Sequence, residues 1–159
     1  MKKLFLIALI FIGFTTLSNA QTISENAIGL RLGDSDGMGA EVSYQHALGE
    51  NNRLELDLGW RNGNDYDAFK LTGLYQWVFL LDGSFNWYVG AGGGLASFDG
   101  KNNLNNDSQT SIFVAGDIGI EYNFDIPLQL SLDMRPEFGN NDFTNNTVFD
   151  IAFSIRYQF

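Results

Sequence analysis

From residue 27 to the C-terminus, polar and apolar residues alternate in stretches of about ten, separated by clusters rich in Gly, Asn and Asp. Alternation at a period of two puts successive side chains on opposite faces of an extended chain. No segment carries the 3.6-residue period of an amphipathic helix. The pattern predicts eight strands: Ala27–Gly33, Met38–Leu48, Arg53–Asn62, Ala68–Leu81, Phe85–Phe98, Ser111–Phe124, Leu128–Gly139 and Thr147–Phe159. The connections at 49–52, 82–84 and 125–127 read as tight turns. Those at 63–67, 99–110 and 140–146 are longer and rich in Asn and Asp, while 34–37 is short.

Within each strand the two faces differ sharply. In the last, Phe149, Ile151, Phe153, Ile155, Tyr157 and Phe159 oppose Val148, Asp150, Ala152, Ser154, Arg156 and Gln158. The third strand sets Leu54, Leu56, Leu58 and Trp60 against Arg53, Glu55, Asp57 and Arg61. The seventh sets Leu128, Leu130, Leu132, Met134 and Phe138 against Gln129, Ser131, Asp133, Arg135 and Glu137. A soluble sandwich or barrel would bury the apolar face, whereas a membrane barrel turns it to lipid.

Three features favour lipid. The apolar faces are too bulky for an eight-stranded barrel, whose interior only just holds side chains. Aromatic residues on the apolar face gather at strand ends: Tyr44, Trp77, Phe79, Phe85, Trp87, Tyr122, Phe124, Tyr157 and Phe159 at the tight-turn end, and Trp60, Phe69, Phe138 and Phe149 at the other. Such girdles suit the two membrane interfaces. Ten tilted residues at ~3.3 Å each also cover the ~25 Å apolar band. The expected fold is therefore all-β, an eight-stranded antiparallel up-and-down transmembrane β-barrel. Short turns inside, long loops outside and an even strand number place both termini in the periplasm.

Composition alone suggests something else. Residues 21–159 hold seven Lys and Arg against nineteen Asp and Glu, a formal charge of −12, and the chain has no Cys. That balance excludes phosphate-dominated nucleic-acid binding, and no disulfide or thiolate metal site can form. Residues 1–20 change the picture further. Lys2 and Lys3, the apolar run Leu4–Phe14 and Ser18-Asn19-Ala20 have the layout of a cleavable signal peptide. The expected organisation is a signal peptide over 1–20 and a barrel domain over 21–159.

Two segments carry a family resemblance. Ile151-Ala152-Phe153-Ser154-Ile155-Arg156-Tyr157-Gln158-Phe159 resembles the terminal-strand signal of bacterial outer-membrane proteins. That resemblance implies recognition of Phe153, Ile155, Tyr157 and Phe159 by the barrel-assembly machinery, with periplasmic chaperones in transit. Trp87-Tyr88-Val89-Gly90-Ala91-Gly92-Gly93-Gly94-Leu95-Ala96 is similar to the glycine-rich strand of the small outer-membrane barrel domain family related to the OmpA and OmpX barrels. The sequence ends at its last strand, a layout closer to OmpX than to OmpA with its peptidoglycan-binding domain.

Candidate chemistry is then what the polar face carries. Arg31, Arg53, Arg61, Lys70, Arg135 and Arg156 share the inward parity with Glu41, Glu55, Asp57, Asp117, Glu121, Asp133, Glu137 and Asp150. Charges removed from water need partners, so the favoured reading is a neutralising plug, with a gated ion path as the alternative. Leu74, Val78, Leu80 and Phe113 on the same parity add apolar filling. The single histidine, His46, falls on the lipid side near the tight-turn end, beside Tyr44. An enzyme acting on lipopolysaccharide by a nucleophile–His–acid site would need histidine at the outer leaflet. Gly90, Gly92 and Gly94 face inward, without the following helix of a phosphate loop, and serve strand coiling. Asp34, Asp36, Asp65, Asp67, Asp99, Asp107 and Asp142 make the loops acidic, suited to no more than loose divalent bridging to lipopolysaccharide phosphates.

The expectation at this point is a monomeric, non-enzymatic outer-membrane barrel with a structural, adhesive or envelope-stress role. It has no catalytic, metal or cofactor residues, and outer-membrane lipids and lipopolysaccharide are its partners. A narrow channel and a lipid A-modifying enzyme are the alternatives.

Overall fold

A computed structural model describes residues 23–33, 39–62, 66–100, 109–139 and 148–159; the segment read as a signal peptide, and most of the acidic loops, lie outside them. Eight strands follow in order: β1 (Asn26–Gly33), β2 (Ala40–Ala47), β3 (Asn52–Asn62), β4 (Tyr66–Asp82), β5 (Phe85–Gly100), β6 (Gln109–Asn123), β7 (Leu128–Gly139) and β8 (Val148–Gln158). Each pairs antiparallel with its sequence neighbours, and β8 pairs with β1 to close the barrel. Closure extends to the last residue: Asn26 and Phe159 exchange both backbone hydrogen bonds, at 3.1 and 2.9 Å. A closed ladder leaves no edge, which hydrocarbon requires.

The faces are sorted inside out. Arg31, Arg135 and Arg156 are buried, while Leu30, Leu32, Ile118, Ile120, Leu132, Ile151, Phe153 and Ile155 are exposed. A soluble protein does not leave so continuous an apolar belt open to water. The fold is that of a transmembrane β-barrel. Trp77, Phe85, Phe124, Tyr157 and Phe159 are exposed at the tight-turn end, and Trp60, Phe69, Phe138 and Phe149 at the long-loop end. Several of these rings touch, such as Phe79 on Trp87 and Phe85 on Tyr122, both with centroids 4.6 Å apart.

Strand lengths depart from the alternation chiefly at the long-loop end of β4, β5 and β6, while β2 is shorter than expected, running Ala40–Ala47. The β4–β5 ladder runs from Tyr66 paired with Gly100 down to Asp82 paired with Phe85, and the β5–β6 ladder reaches Phe98 paired with Gln109. Residues with loop composition thus continue the ladder, because backbone pairing needs no particular side chain. The tight turn below uses Gly83 at φ 55°, a left-handed conformation that favours glycine. The wall of β4, β5 and β6 is consequently taller than that of β1 and β2, which have eight residues each.

Candidate functional site

Two places carry chemistry: the barrel interior and the outward surface at the long-loop end. The interior is built from the inward row of each strand. Arg31, on β1, reaches carboxylates from three other strands: its Nη1 lies 2.9 Å from Glu41 and 2.6 Å from Asp150, and its Nη2 lies 2.6 Å from Asp133. Arg135 donates from Nη2 to Asp57 at 2.6 Å and to Glu55 at 3.1 Å. Arg156 meets Glu55 at 3.2 Å and donates to the hydroxyls of Ser43 and Ser131 at 3.0 and 2.8 Å. Arg53 pairs with Glu121 at 2.7 Å and donates to Gln76 at 2.6 Å. Lys70 and Glu137 pair at 2.6 Å nearer the long-loop end.

These pairs are fully buried, so their value lies in mutual satisfaction: removing one partner leaves a charge in a medium that cannot solvate it. Among the inward charges named from the sequence, the side chain of Arg61 lies outside the described residues. Asp117 stands apart. It accepts a 2.5 Å hydrogen bond from Gln76 Nε2 and has no cation within ion-pair distance among the described residues. Gln76 also donates to Glu55 at 3.2 Å, and Gln45 does so at 2.6 Å. Sequence reasoning passed over these amides, along with Tyr88, whose ring lies under the Arg53 guanidinium at 4.9 Å. The signal was present, since Gln76 shares parity with Lys70 and Leu74. No group of three or more metal-ligating side chains occurs among the described residues.

A second interior surface is apolar. Among the described residues, every buried apolar side chain larger than Ala comes from β4, β5 or β6: Leu74, Val78, Tyr88 and Phe113. The rings of Phe113 and Tyr88 rest on glycines. A Cβ on Gly94 would lie 2.6 Å from Phe113 Cζ, and one on Gly119 would lie 2.5 Å from Tyr88 Cζ.

Outside, at the long-loop end, one register line crosses four strands: Trp60 opposite Phe69, Phe69 opposite Ser97, and Ser97 opposite Thr110. The Thr110 hydroxyl lies 3.3 Å from Ser97 Oγ. Asp67 shares the outward row of β4 two residues above Phe69, on the diagonal from Ser97, a spacing of ~7–8 Å between backbones. His46 sits at the opposite end. Its Nδ1 is 3.0 Å from Asn26 Oδ1, which also accepts a 2.7 Å hydrogen bond from Tyr44.

The model of the lipid A 3-O-deacylase (PagL) family matches residues 38–137, well over half of the chain. The chain belongs to this family. The expectation of a non-enzymatic barrel is thereby corrected: the family is defined by an enzymatic activity on lipid A. That expectation leaned on the misplaced histidine, and the position of one residue type says nothing about catalysis by others. Solved structures agree on the fold of this PagL-family barrel. The N-terminal β-barrel domain of Pseudomonas aeruginosa OprF superposes with a TM-score of 0.66 at 13% identity, covering 84% of this chain and 95% of that one. Neisserial surface protein A gives 0.61 at 15%, covering 84% and 93%. Ail, the attachment invasion locus protein of Yersinia pestis, gives 0.51 at 19%, covering 86% and 97%. No curated protein matches the sequence.

Proposed function

We propose that this barrel resides in a bacterial outer membrane and hydrolyses an acyl ester of lipid A in the outer leaflet. The observation that carries this reading is the family match across residues 38–137, which spans β2 to β7. The tight turns and both termini face the periplasm, and the long-loop end faces the cell surface, where lipid A lies. A signal peptide over residues 1–20 directs export. Phe153, Ile155, Tyr157 and Phe159 on the closing strand serve the assembly machinery, to which periplasmic chaperones deliver the chain. The folded barrel works as a monomer among outer-membrane lipids and lipopolysaccharide.

The outward row at the long-loop end supplies suitable groups. Trp60 and Phe69 are exposed beside the Ser97–Thr110 hydroxyl pair. Aromatic rings anchor at the level of headgroup and ester. In the reaction the Ser97 oxygen adds to the ester carbonyl and its proton passes to a carboxylate, for which Asp67 is positioned. The leaving sugar oxygen takes that proton, and water then releases the fatty acid from the serine. A serine is a weak nucleophile until a neighbouring base accepts its proton. His46, on the far side of the membrane, has no part in this.

Purified barrel mixed with lipid A in detergent tests the scheme by mass spectrometry. Loss of one acyl chain is expected from the native protein and from His46→Ala, but not from Ser97→Ala. Activity lost in His46→Ala but kept in Ser97→Ala would overturn the placement of the site. Unaltered lipid A with the native protein would overturn the activity.

A further inference from the structure

The β6–β7 ladder is interrupted in one place. It pairs Phe113, Val114 and Ala115 with Gly139, Phe138 and Glu137, and resumes with Ile118 opposite Met134. Between them Gly116 and Asp117 on β6 have no ladder partner, where Pro136 and Arg135 would stand. The cause is chemical. Pro136 has no N–H to donate, and its pairing with Phe149 of β8 is kept, so the missing donor is on the β6 side. A proline inside a sheet normally sits at an edge or a bulge. Here it interrupts a closed wall.

The surroundings of the gap give it meaning. Outside, it is flanked by Val114, Ile118, Met134 and Phe138, all exposed to lipid. Gly116 brings no side chain, and a Cβ there would lie 3.3 Å from Pro136 Cγ. Inside, Asp117 and Arg135 stand at the gap, and above them β6 presents Ala115 and Phe113, which with Leu74 and Ala96 form the buried apolar cluster. Gly92 and Gly94 on the facing rows of β5 add no side chains. A hydrocarbon environment and an apolar interior patch are thus separated by one weakened pair of strands.

We propose that the Gly116–Pro136 seam is a lateral port, through which an acyl chain of a membrane lipid reaches the apolar patch formed by Leu74, Ala96, Phe113 and Ala115. The ligand class is a straight hydrocarbon chain. Its choice rests on the proposed action on lipid A, and binding at the patch requires no hydrolysis. Rotation of the Phe113 ring off Gly94, away from the Lys70 ammonium 5.1 Å from its centroid, clears the space. The inward charges at the seam stay in place, because Arg135 is held across the lumen by Glu55 and Asp57 of β3 and Asp117 is bonded to Gln76 of β4.

The absence of native cysteine allows a direct test. Ala115→Cys and Ala152→Cys each place one thiol inside the barrel; Ala152 is buried on β8, paired with both Gly33 of β1 and Asp133 of β7. The proteins are reconstituted in phosphatidylcholine nanodiscs and exposed to N-hexadecylmaleimide dissolved in the bilayer. The thiol at 115 is expected to react at least about tenfold faster than the one at 152, a difference of ~1.4 kcal/mol in barrier. Adding Pro136→Val, which restores the donor, or Gly116→Val, which fills the seam, removes the difference. Native folding of each variant is checked by the mobility difference between boiled and unboiled samples. Equal rates at the two positions, or a fast rate at 115 unchanged by whichever seam variant folds, would overturn the port. Phosphatidylcholine contains no lipid A, so the result is independent of whether the barrel hydrolyses that substrate.

Discussion

The two sides of the barrel interior solve the same packing problem by different means. On the side of β1, β3, β7 and β8, the volume is filled by four arginines, each held by carboxylates or amides from other strands. On the side of β4, β5 and β6, Leu74, Val78, Tyr88 and Phe113 share the volume with Lys70, Gln76, Asp117 and Glu121, and the Tyr88 and Phe113 rings lie over Gly119 and Gly94. The first solution is fixed by charge pairing, in which each partner depends on the others. The second depends more on shape, with cations touching only the faces of its Tyr88 and Phe113 rings, and tolerates rearrangement. A barrel that must hold its wall in lipid, and also admit part of a lipid, gains from having one side of each kind.

Breaking the charged side should have the largest effect. Arg31→Leu leaves Glu41, Asp133 and Asp150 without their shared cation, and should cost about 3–5 kcal/mol in urea unfolding from bilayers. Leu56→Arg attacks the lipid face instead. Leu56 lies mid-strand and exposed, and the change should cost roughly 2–4 kcal/mol by the same measurement. On the apolar side, Gly94→Ala forces a methyl against Phe113 and the Leu71 carbonyl; about 1–3 kcal/mol is expected. A larger loss from Gly94→Ala than from Arg31→Leu would reverse the assignment of rigid and adaptable sides. The smallest effect belongs to His46→Ala, which removes one contact to Asn26 at the membrane edge and should change stability by about 0.5–1.5 kcal/mol.

How much of this was legible in the sequence depends on the range of the interaction. The strands and their two faces follow from a period of two, and the end-sorted aromatics assign the apolar face to lipid. Cross-lumen partners are another matter. Arg31 and Asp133 are separated by 102 positions, and which carboxylate meets which guanidinium is set by the stagger of all eight strands, a property no local pattern contains. Formal charge does not point to Gln76 and Tyr88, although an uncharged amide also donates to buried carboxylates and a ring face receives the Arg53 guanidinium. The seam at Pro136 could have been suspected, since proline in an alternating strand is out of place. Its consequence needed the register. The lipid A-modifying enzyme ranks only as an alternative in the sequence for a different reason. The one histidine lies at the wrong end for a nucleophile–His–acid site, but the chemistry requires only a nucleophile and a base.

Mass spectrometry of lipid A extracted from cells with and without the gene tests the assignment most directly. Lipid A lacking one ester-linked acyl chain only when the protein is present is the predicted result. Identical lipid A from both strains, with the barrel shown to be folded in the outer membrane, would contradict it.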